Sequence, residues 1–78
     1  MITVEQLRAA RGLLGWSQNQ LADASALAIS TIRRMEGDRG LLRSSAENVL
    51  KVQQALEDAG VVFIDRNGGG PGVRLRDA

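Results

Sequence analysis

The sequence predicts a mainly α-helical fold of four helices, followed by a short C-terminal β-hairpin. Three observations support this prediction. Apolar residues recur at helical spacing over most of residues 4–56, and Ser or Thr precedes three of the helical segments. After residue 60 the pattern changes to a β-branched run, a glycine-rich stretch and an apolar–basic alternation. The chain therefore divides into a helical domain, residues 1–60, and a hairpin tail, residues 61–78.

The first helix is predicted to begin after Thr3, because Gln6 three residues later completes a capping box. Its inward stripe consists of Val4, Leu7, Ala10 and Leu14. This assignment places Arg8 and Arg11 on the outward side. Gly15 is expected to end the helix, and the following Trp16 is expected to fill the space between the first two helices.

Residues 17–36 contain two short helical patterns separated by a tight break. Ser17 caps the second helix, and Gln20 completes another capping box. The third helix covers about residues 28–36, and its inward face is formed by Leu27, Ile32 and Met35. Two short helices joined by a turn of three or four residues match the helix-turn-helix motif.

The fourth helix is predicted to begin at Ser44, with Glu47 completing a capping box, and to end near Gly60. In the tail, residues 61–64 and 73–76 read as two strands around a glycine-rich turn. An isolated hairpin is marginally stable in water, so it must pack on the helices or pair with a second copy. We expect edge pairing across a two-fold axis, giving a homodimer through Val61, Val62, Phe63, Ile64, Val73 and Leu75.

The segment around the two short helices resembles the lambda repressor-like (Cro/Xre-type) DNA-binding family. The residues that carry the resemblance are Trp16-Ser17-Gln18, Leu21-Ala22, Leu27 and Ser30-Thr31-Ile32-Arg33-Arg34-Met35-Glu36-Gly37. The match spans about Val4 to Val52. Two positions depart from the family's usual pattern: Ala26 stands where the turn commonly has Gly, and Ala28 stands where Ser or Thr commonly begins the third helix. Each departure costs roughly 1 kcal/mol.

The resemblance implies that the third helix lies in the major groove of DNA. With its apolar face turned inward, the outward residues are Ile29, Ser30, Arg33 and Arg34. Ile29, Ser30 and Arg34 are then expected to read bases, Arg34 reading a guanine. Backbone contacts are expected from Gln18, Thr31, Arg33, Arg39 and Arg43. For Arg33 and Arg34 the plainer alternative is an ion pair to Glu36 or Asp38. For Arg39 and Arg43 it is ordinary exposed loop charge, and for Ile29 it is a protein-binding face.

Composition narrows the possible functions. The net charge is only +1, but residues 1–43 carry +2, and nine of the ten basic residues are Arg, whose planar fork suits phosphate and guanine edges. The chain has no His and no Cys, so the usual general base, thiolate chemistry and most zinc sites are missing. We therefore expect a non-enzyme without metal or cofactor.

No apolar run reaches membrane-span length, which favours a cytoplasmic protein that does not enter a membrane. The glycine-rich loop lacks the Gly-Lys-Ser/Thr of a phosphate loop.

These observations lead to a sequence-specific, double-stranded DNA-binding regulator of transcription that acts as a dimer on an inverted repeat. The alternative is a protein of the same fold that binds a protein partner instead, either another regulator or a toxin. Ala26, Ala28, an exposed Ile29 and the modest net charge motivate that alternative.

Overall fold

The computed structural model describes residues 1–76, so the last two residues of the predicted tail, 77 and 78, lie outside the described part. Within residues 1–76 the chain forms five helices and two strands: α1 (Val4–Leu14), α2 (Gln18–Ser25), α3 (Ile29–Met35), α4 (Gly40–Arg43), α5 (Ala46–Asp58), β1 (Val61–Ile64) and β2 (Gly72–Leu75). The mainly helical fold with a C-terminal hairpin is confirmed. The predicted number of four helices is wrong, because a short helix precedes the last long one.

Reciprocal capping boxes begin the first two helices, as predicted. The Thr3 hydroxyl accepts from the Gln6 backbone N–H at 3.1 Å, and the Gln6 side chain accepts from the Thr3 N–H at 2.9 Å. Ser17 and Gln20 form the same pair of bonds at 3.1 and 2.8 Å. Each box satisfies two N–H groups that have no partner within the helix. The first residue of each helix is therefore determined by side chains only three residues apart in the sequence.

The turn between α2 and α3 has the backbone conformation that usually selects glycine. Ala26 ends α2 with φ 58° and ψ 36°, and Ala28 precedes α3 without a side-chain capping bond. An alanine in the left-handed region costs roughly 1 kcal/mol. Ala26 therefore lies at a left-handed turn position and Ala28 lies at the start of α3, as the sequence indicated.

The segment predicted as a loop, residues 37–40, leads directly into α4. Gly40 is buried and lies against the backbone of Arg34, leaving no room for a side chain. The start of the last helix is also corrected. Ser45, not Ser44, caps α5, accepting from the Asn48 N–H at 3.1 Å, while the Ser44 hydroxyl donates to the Gly40 carbonyl at 2.6 Å.

One apolar core joins the long helices to the hairpin. Fully buried at its centre are Leu7, Leu21, Ile32, Met35, Val52 and Leu56. Trp16 and Leu27 are partly buried against this cluster, consistent with the predicted packing. Ile29, predicted to point outward, is also partly buried against it, so this prediction is only partly right.

The hairpin is antiparallel and packs on the helices through one face. Its register pairs Val61 with Leu75 and Phe63 with Val73. Val61 is only 2% exposed, and Phe63 and Val73 pack against the core, so these side chains are used within the chain. None of the helices described here is both long enough and apolar enough to cross a membrane.

The N-terminal helix is tied to the hairpin by one side chain. The Gln6 amide donates to the carbonyl oxygens of Ile64 at 3.1 Å and Gly72 at 3.0 Å, which belong to paired residues at the loop end of the hairpin. Because Gln6 is 5% exposed, these bonds satisfy a buried donor group that would otherwise be costly. Gln6 thus has two roles, the cap of α1 and an attachment point for the tail.

Candidate nucleic-acid interface

The helix α3 presents a polar outer face over a buried apolar one. Ile32 and Met35 are 0% exposed, whereas Ser30, Arg33 and Arg34 are exposed. The predicted orientation of the helix is therefore confirmed for these five residues. The guanidinium groups of the two neighbouring arginines of α3 therefore face solvent.

The two exposed arginines have no acidic partner. Across residues 1–76 neither Arg33 nor Arg34 lies within ion-pairing distance of a carboxylate. The sequence alternative that paired them with Glu36 does not hold, because Glu36 is 5% exposed and turned into the protein. Their charge thus remains available to an external anion.

Glu36 is held by a cluster of side chains from α1 and α2. Arg11 donates to its carboxylate through Nε at 2.6 Å and Nη2 at 2.7 Å, a two-bond geometry that fixes both groups. A third Arg11 nitrogen donates to the Trp16 carbonyl at 2.9 Å, and Arg8 donates to the Glu36 backbone carbonyl. The prediction that Arg11 points outward is therefore wrong; Arg8 is exposed but bonded at its tip.

This ion pair prevents the charge of Glu36 from offsetting the exposed arginines around α3. Because Glu36 is neutralised internally, residues 29–43 expose four arginines against one aspartate, Asp38, a net of +3. The hydrogen bond to Glu36 raises the pKa of Arg11, and the charge of Glu36 raises it further against the opposing effect of burial. Because the pKa of Arg11 is raised on folding, the stabilisation that its charge contributes is not lost until pH rises above the ordinary arginine pKa and through the raised one.

No protein-family model matches this chain, and no curated protein matches it. The geometry and charge of the chain itself are therefore the basis for assigning a function.

Gln18, expected to contact a phosphate, is bonded inside the protein. It is the first residue of α2, is partly buried, and donates from its side-chain amide to Glu36 at 3.2 Å. Its second amide hydrogen has no acceptor among the described residues. The side chain of Gln18 therefore supports Glu36, which leaves one amide hydrogen and the backbone N–H of Gln18 for a phosphate contact.

The other expected backbone contacts lie on two elements. Thr31 is partly buried in the first turn of α3, and its side chain makes no hydrogen bond within residues 1–76. Arg39 and Arg43 are exposed at the two ends of α4, with Arg39 at φ 56°. Since α4 contacts α3 directly, their charges add to the same region of the surface as Arg33 and Arg34.

Sequence reasoning missed the supporting pair, although a signal was present. Arg11 follows Leu7 by four residues and precedes Leu14 by three, which places it on the inward stripe of α1. Glu36 follows the buried Ile32 by four residues in the same way. Two opposite charges on two inward stripes indicate a pair across the helices, because a charge that is buried alone is very costly.

Proposed function

We propose that this protein is a sequence-specific, double-stranded DNA-binding regulator of transcription with a lambda repressor-like (Cro/Xre-type) helix-turn-helix fold. The observation that supports it best is the pair Arg33 and Arg34. Both are exposed and lack acidic partners within residues 1–76, on a short helix whose opposite face is fully buried. A helix held in this way fits the major groove, which admits a single α-helix.

The proposed roles follow from position on α3. Arg34 stands one turn after Ser30, so the two form a stripe that meets base edges, where the Arg fork suits the two acceptors of guanine. Arg33 lies to one side and contacts a phosphate, together with Thr31, Arg39 and Arg43. Ile29 has only its outer part available for a thymine methyl, since the rest packs on the core.

The exposed chemistry of α3 favours DNA over a protein partner. A protein-binding role drew support from an exposed apolar Ile29, but this side chain is partly buried. What remains outward is mainly one hydroxyl and two guanidinium groups, and the outer part of Ile29 is a small apolar area compared with the centre of a protein interface. A partner protein therefore enters only as an outcome of the experiment below.

We propose that the protein acts as a homodimer in the cytoplasm and binds an inverted repeat. Arg76 N–H donates to the Gly60 carbonyl at 2.8 Å, so the alternation of antiparallel pairs turns the backbone groups of Val73 and Leu75 away from β1. No other element within residues 1–76 bonds to these groups. An unpaired strand edge is a template for a second copy. Leu75 on this strand has an exposed apolar side chain, and Val62 and Ile64 on β1 are also accessible.

The test has two steps. Binding sequences are first selected from a pool that contains random duplexes and duplexes from upstream of its own gene. The selected duplexes are then titrated by polarisation at several salt concentrations. Wild type is expected to select an inverted repeat. Arg33→Gln should reduce the slope of log affinity against log salt by about 2 for a dimer, because one phosphate contact is lost per subunit. Arg34→Gln should change this slope little and should relax the preference at one base pair per half-site by about 1–3 kcal/mol.

Arg66→Gln is the matched control, because Arg66 is exposed in the hairpin loop outside α2 and α3. It should bind like wild type. If Arg33→Gln and Arg34→Gln also bind like wild type, the proposed interface is wrong. If wild type retains no duplex even at low salt and instead recovers one stoichiometric protein from its native lysate, the protein-binding function replaces the one proposed.

A further inference from the structure

A cleft of about 340 Å³ opens between the N-terminal segment and α4. Its floor includes Ile2 and Leu41, which are 7% and 6% exposed, and its rim includes Met1 and Leu42, each 79% exposed. This volume lies at the lower end of the range typical of small-molecule sites. The cleft is separate from the outer face of α3, although its wall is built from the loop that follows α3.

One charged side chain stands among the apolar residues that line this cleft. Arg39 is the only lining residue with an ionisable side chain, and it has no carboxylate partner within residues 1–76. The hydroxyl of Thr3, the only other polar side chain of the lining, already accepts the capping bond of α1. The N-terminal ammonium group of Met1 adds a second cation at the rim. An apolar trough whose charges are all positive is complementary to a molecule that has an apolar body and one negative charge.

We propose that this cleft binds a small monocarboxylate with an aliphatic body. The aliphatic chain of the ligand would lie on Ile2, Leu41 and Val4, where it removes apolar surface of both molecules from water. The carboxylate would pair with Arg39, whose planar fork matches its two oxygens. A neutral ligand of the same shape leaves Arg39 unpaired and loses that second contribution.

The site is physically connected to the proposed DNA-binding surface, and this step rests on the proposed function. Arg39 is one of the expected phosphate contacts, so a carboxylate bound to it competes with DNA for the same cation. The lining residues Gly37 and Gly40 also contact the Arg34 backbone, with the Gly37 N–H donating to the Arg34 carbonyl at 3.1 Å. If the ligand lowers the affinity for DNA by competing for Arg39, then DNA lowers the affinity for the ligand by the same factor.

The binding test needs no DNA. The full chain, labelled with ¹⁵N, is titrated with octanoate and separately with octanamide, which has the same length and no charge. Octanoate is expected to give saturable shifts at the amides of Ile2, Gly40 and Leu42, and octanamide should bind at least about tenfold more weakly. Arg39→Asn should weaken octanoate by a similar factor; asparagine is chosen because it tolerates the positive φ of this position.

Arg43→Asn is the control, because Arg43 is exposed in the same short helix but does not line the cleft. It should leave octanoate binding unchanged. Equal binding of octanoate and octanamide, equal binding by the Arg39→Asn variant, or shifts that do not saturate would each overturn the proposal.

Polarisation with a selected duplex then separates the two proposals. Octanoate is expected to weaken DNA binding by wild type, whereas octanamide at the same concentration should not. If octanoate binds in the NMR titration but no duplex is ever bound, the DNA-binding function fails while the ligand site stands. If the duplex is bound and octanoate does not saturate, the ligand site fails and the DNA-binding function stands.

Discussion

A β-carbon placed on Gly40 would lie 1.7 Å from the carbonyl oxygen of Arg34. No side chain of any kind fits at this distance, and the obstacle is backbone, which does not move aside as a flexible side chain does. The backbone at the start of α4 therefore rests directly on α3, next to one of the two arginines proposed to meet DNA. Positioning of that arginine depends on a glycine six residues later in the chain.

Gly40→Ala is expected to lower the free energy of unfolding by about 3 kcal/mol or more, because overpacking against backbone forces the two helices apart. Gly12→Ala is the matched control. Gly12 lies within α1, and a β-carbon added there would meet no atom within 4 Å, so alanine should raise stability by about 0.5–1 kcal/mol. Urea unfolding of both variants checks the contrast, and equal midpoints would contradict it.

Removing either member of the Arg11–Glu36 pair should be strongly destabilising, since the other charge is left largely buried. Arg11→Met and Glu36→Ala are each expected to lower the free energy of unfolding by about 2–4 kcal/mol. The double variant should cost clearly less than the two losses added together, because it leaves neither charge unpaired. A double-mutant cycle by urea unfolding measures the coupling, and strict additivity would show that the pair is not an energetic unit.

Because the pKa of Arg11 is raised, its contribution should not change over the ordinary alkaline range. The difference in stability between wild type and Arg11→Met is expected to be constant between about pH 7 and pH 10, since the guanidinium stays charged in both the folded and the unfolded chain. Unfolding curves at several pH values test this, and a difference that shrinks within that range would argue against the assignment.

Ala26→Gly should stabilise the protein by about 0.5–1 kcal/mol. Glycine removes the steric cost of the left-handed conformation, and this gain exceeds the extra entropy that glycine gives to the unfolded chain. Ala24→Gly is the natural comparison, because Ala24 is exposed within α2 and should lose about the same amount. Opposite shifts of the thermal midpoint are expected, and shifts of the same sign would be inconsistent with the turn geometry.

Gln6→Glu separates the two roles of Gln6. The carboxylate still accepts the Thr3 N–H bond, but it replaces the donor that binds the Ile64 and Gly72 carbonyls with a second acceptor. We expect a loss of about 2–3 kcal/mol and faster hydrogen exchange in the hairpin. Gln20→Glu changes the equivalent capping position of α2, which has no remote partner among the described residues, and should be neutral. Similar losses in both variants would mean that only capping matters.

Leu75→Pro tests the proposed dimer without breaking the hairpin. The Leu75 N–H points away from β1, so proline there removes a donor only from the free edge, whereas Arg74→Pro removes one from the hairpin itself. Sedimentation across a range of concentrations should show a dimer for wild type and a monomer for Leu75→Pro. A Leu75→Pro protein that still forms the wild-type dimer would place the interface elsewhere.

The features that sequence predicted well are those decided within a few residues. The capping boxes at Thr3 and Ser17 and the left-handed end of α1 at Gly15 each involve near neighbours in the chain. The hairpin also followed from a local alternation and a glycine-rich turn, although β2 begins one residue earlier than expected, at Gly72. Local chemistry marks where these elements begin and end, so a single sequence is enough to find them, although the hairpin is held in place by its packing on the helices.

The features that sequence missed depend on contacts between distant segments. Ser44 and Ser45 are equally good caps by composition, and the choice falls on Ser45 because the Ser44 hydroxyl bonds back to Gly40. Helix α4 has only four residues, too few for any periodicity to reveal. In the candidate interface, the outward position of Arg33 and Arg34 was predictable, whereas the capture of Glu36 by Arg11, 25 residues away, was not assigned.

The bonds from Gln6 to the hairpin also set an order of events during translation. The donor and its farther acceptor, Gly72, are 66 residues apart in the chain. At typical elongation rates the ribosome needs about 3–13 s to cover that interval. During this time the N-terminal helix lacks its hairpin partner, and the Gln6 amide, which the hairpin does not yet cover, bonds to water instead. Burial of that amide therefore comes last, after the helices within residues 4–58 have been synthesised.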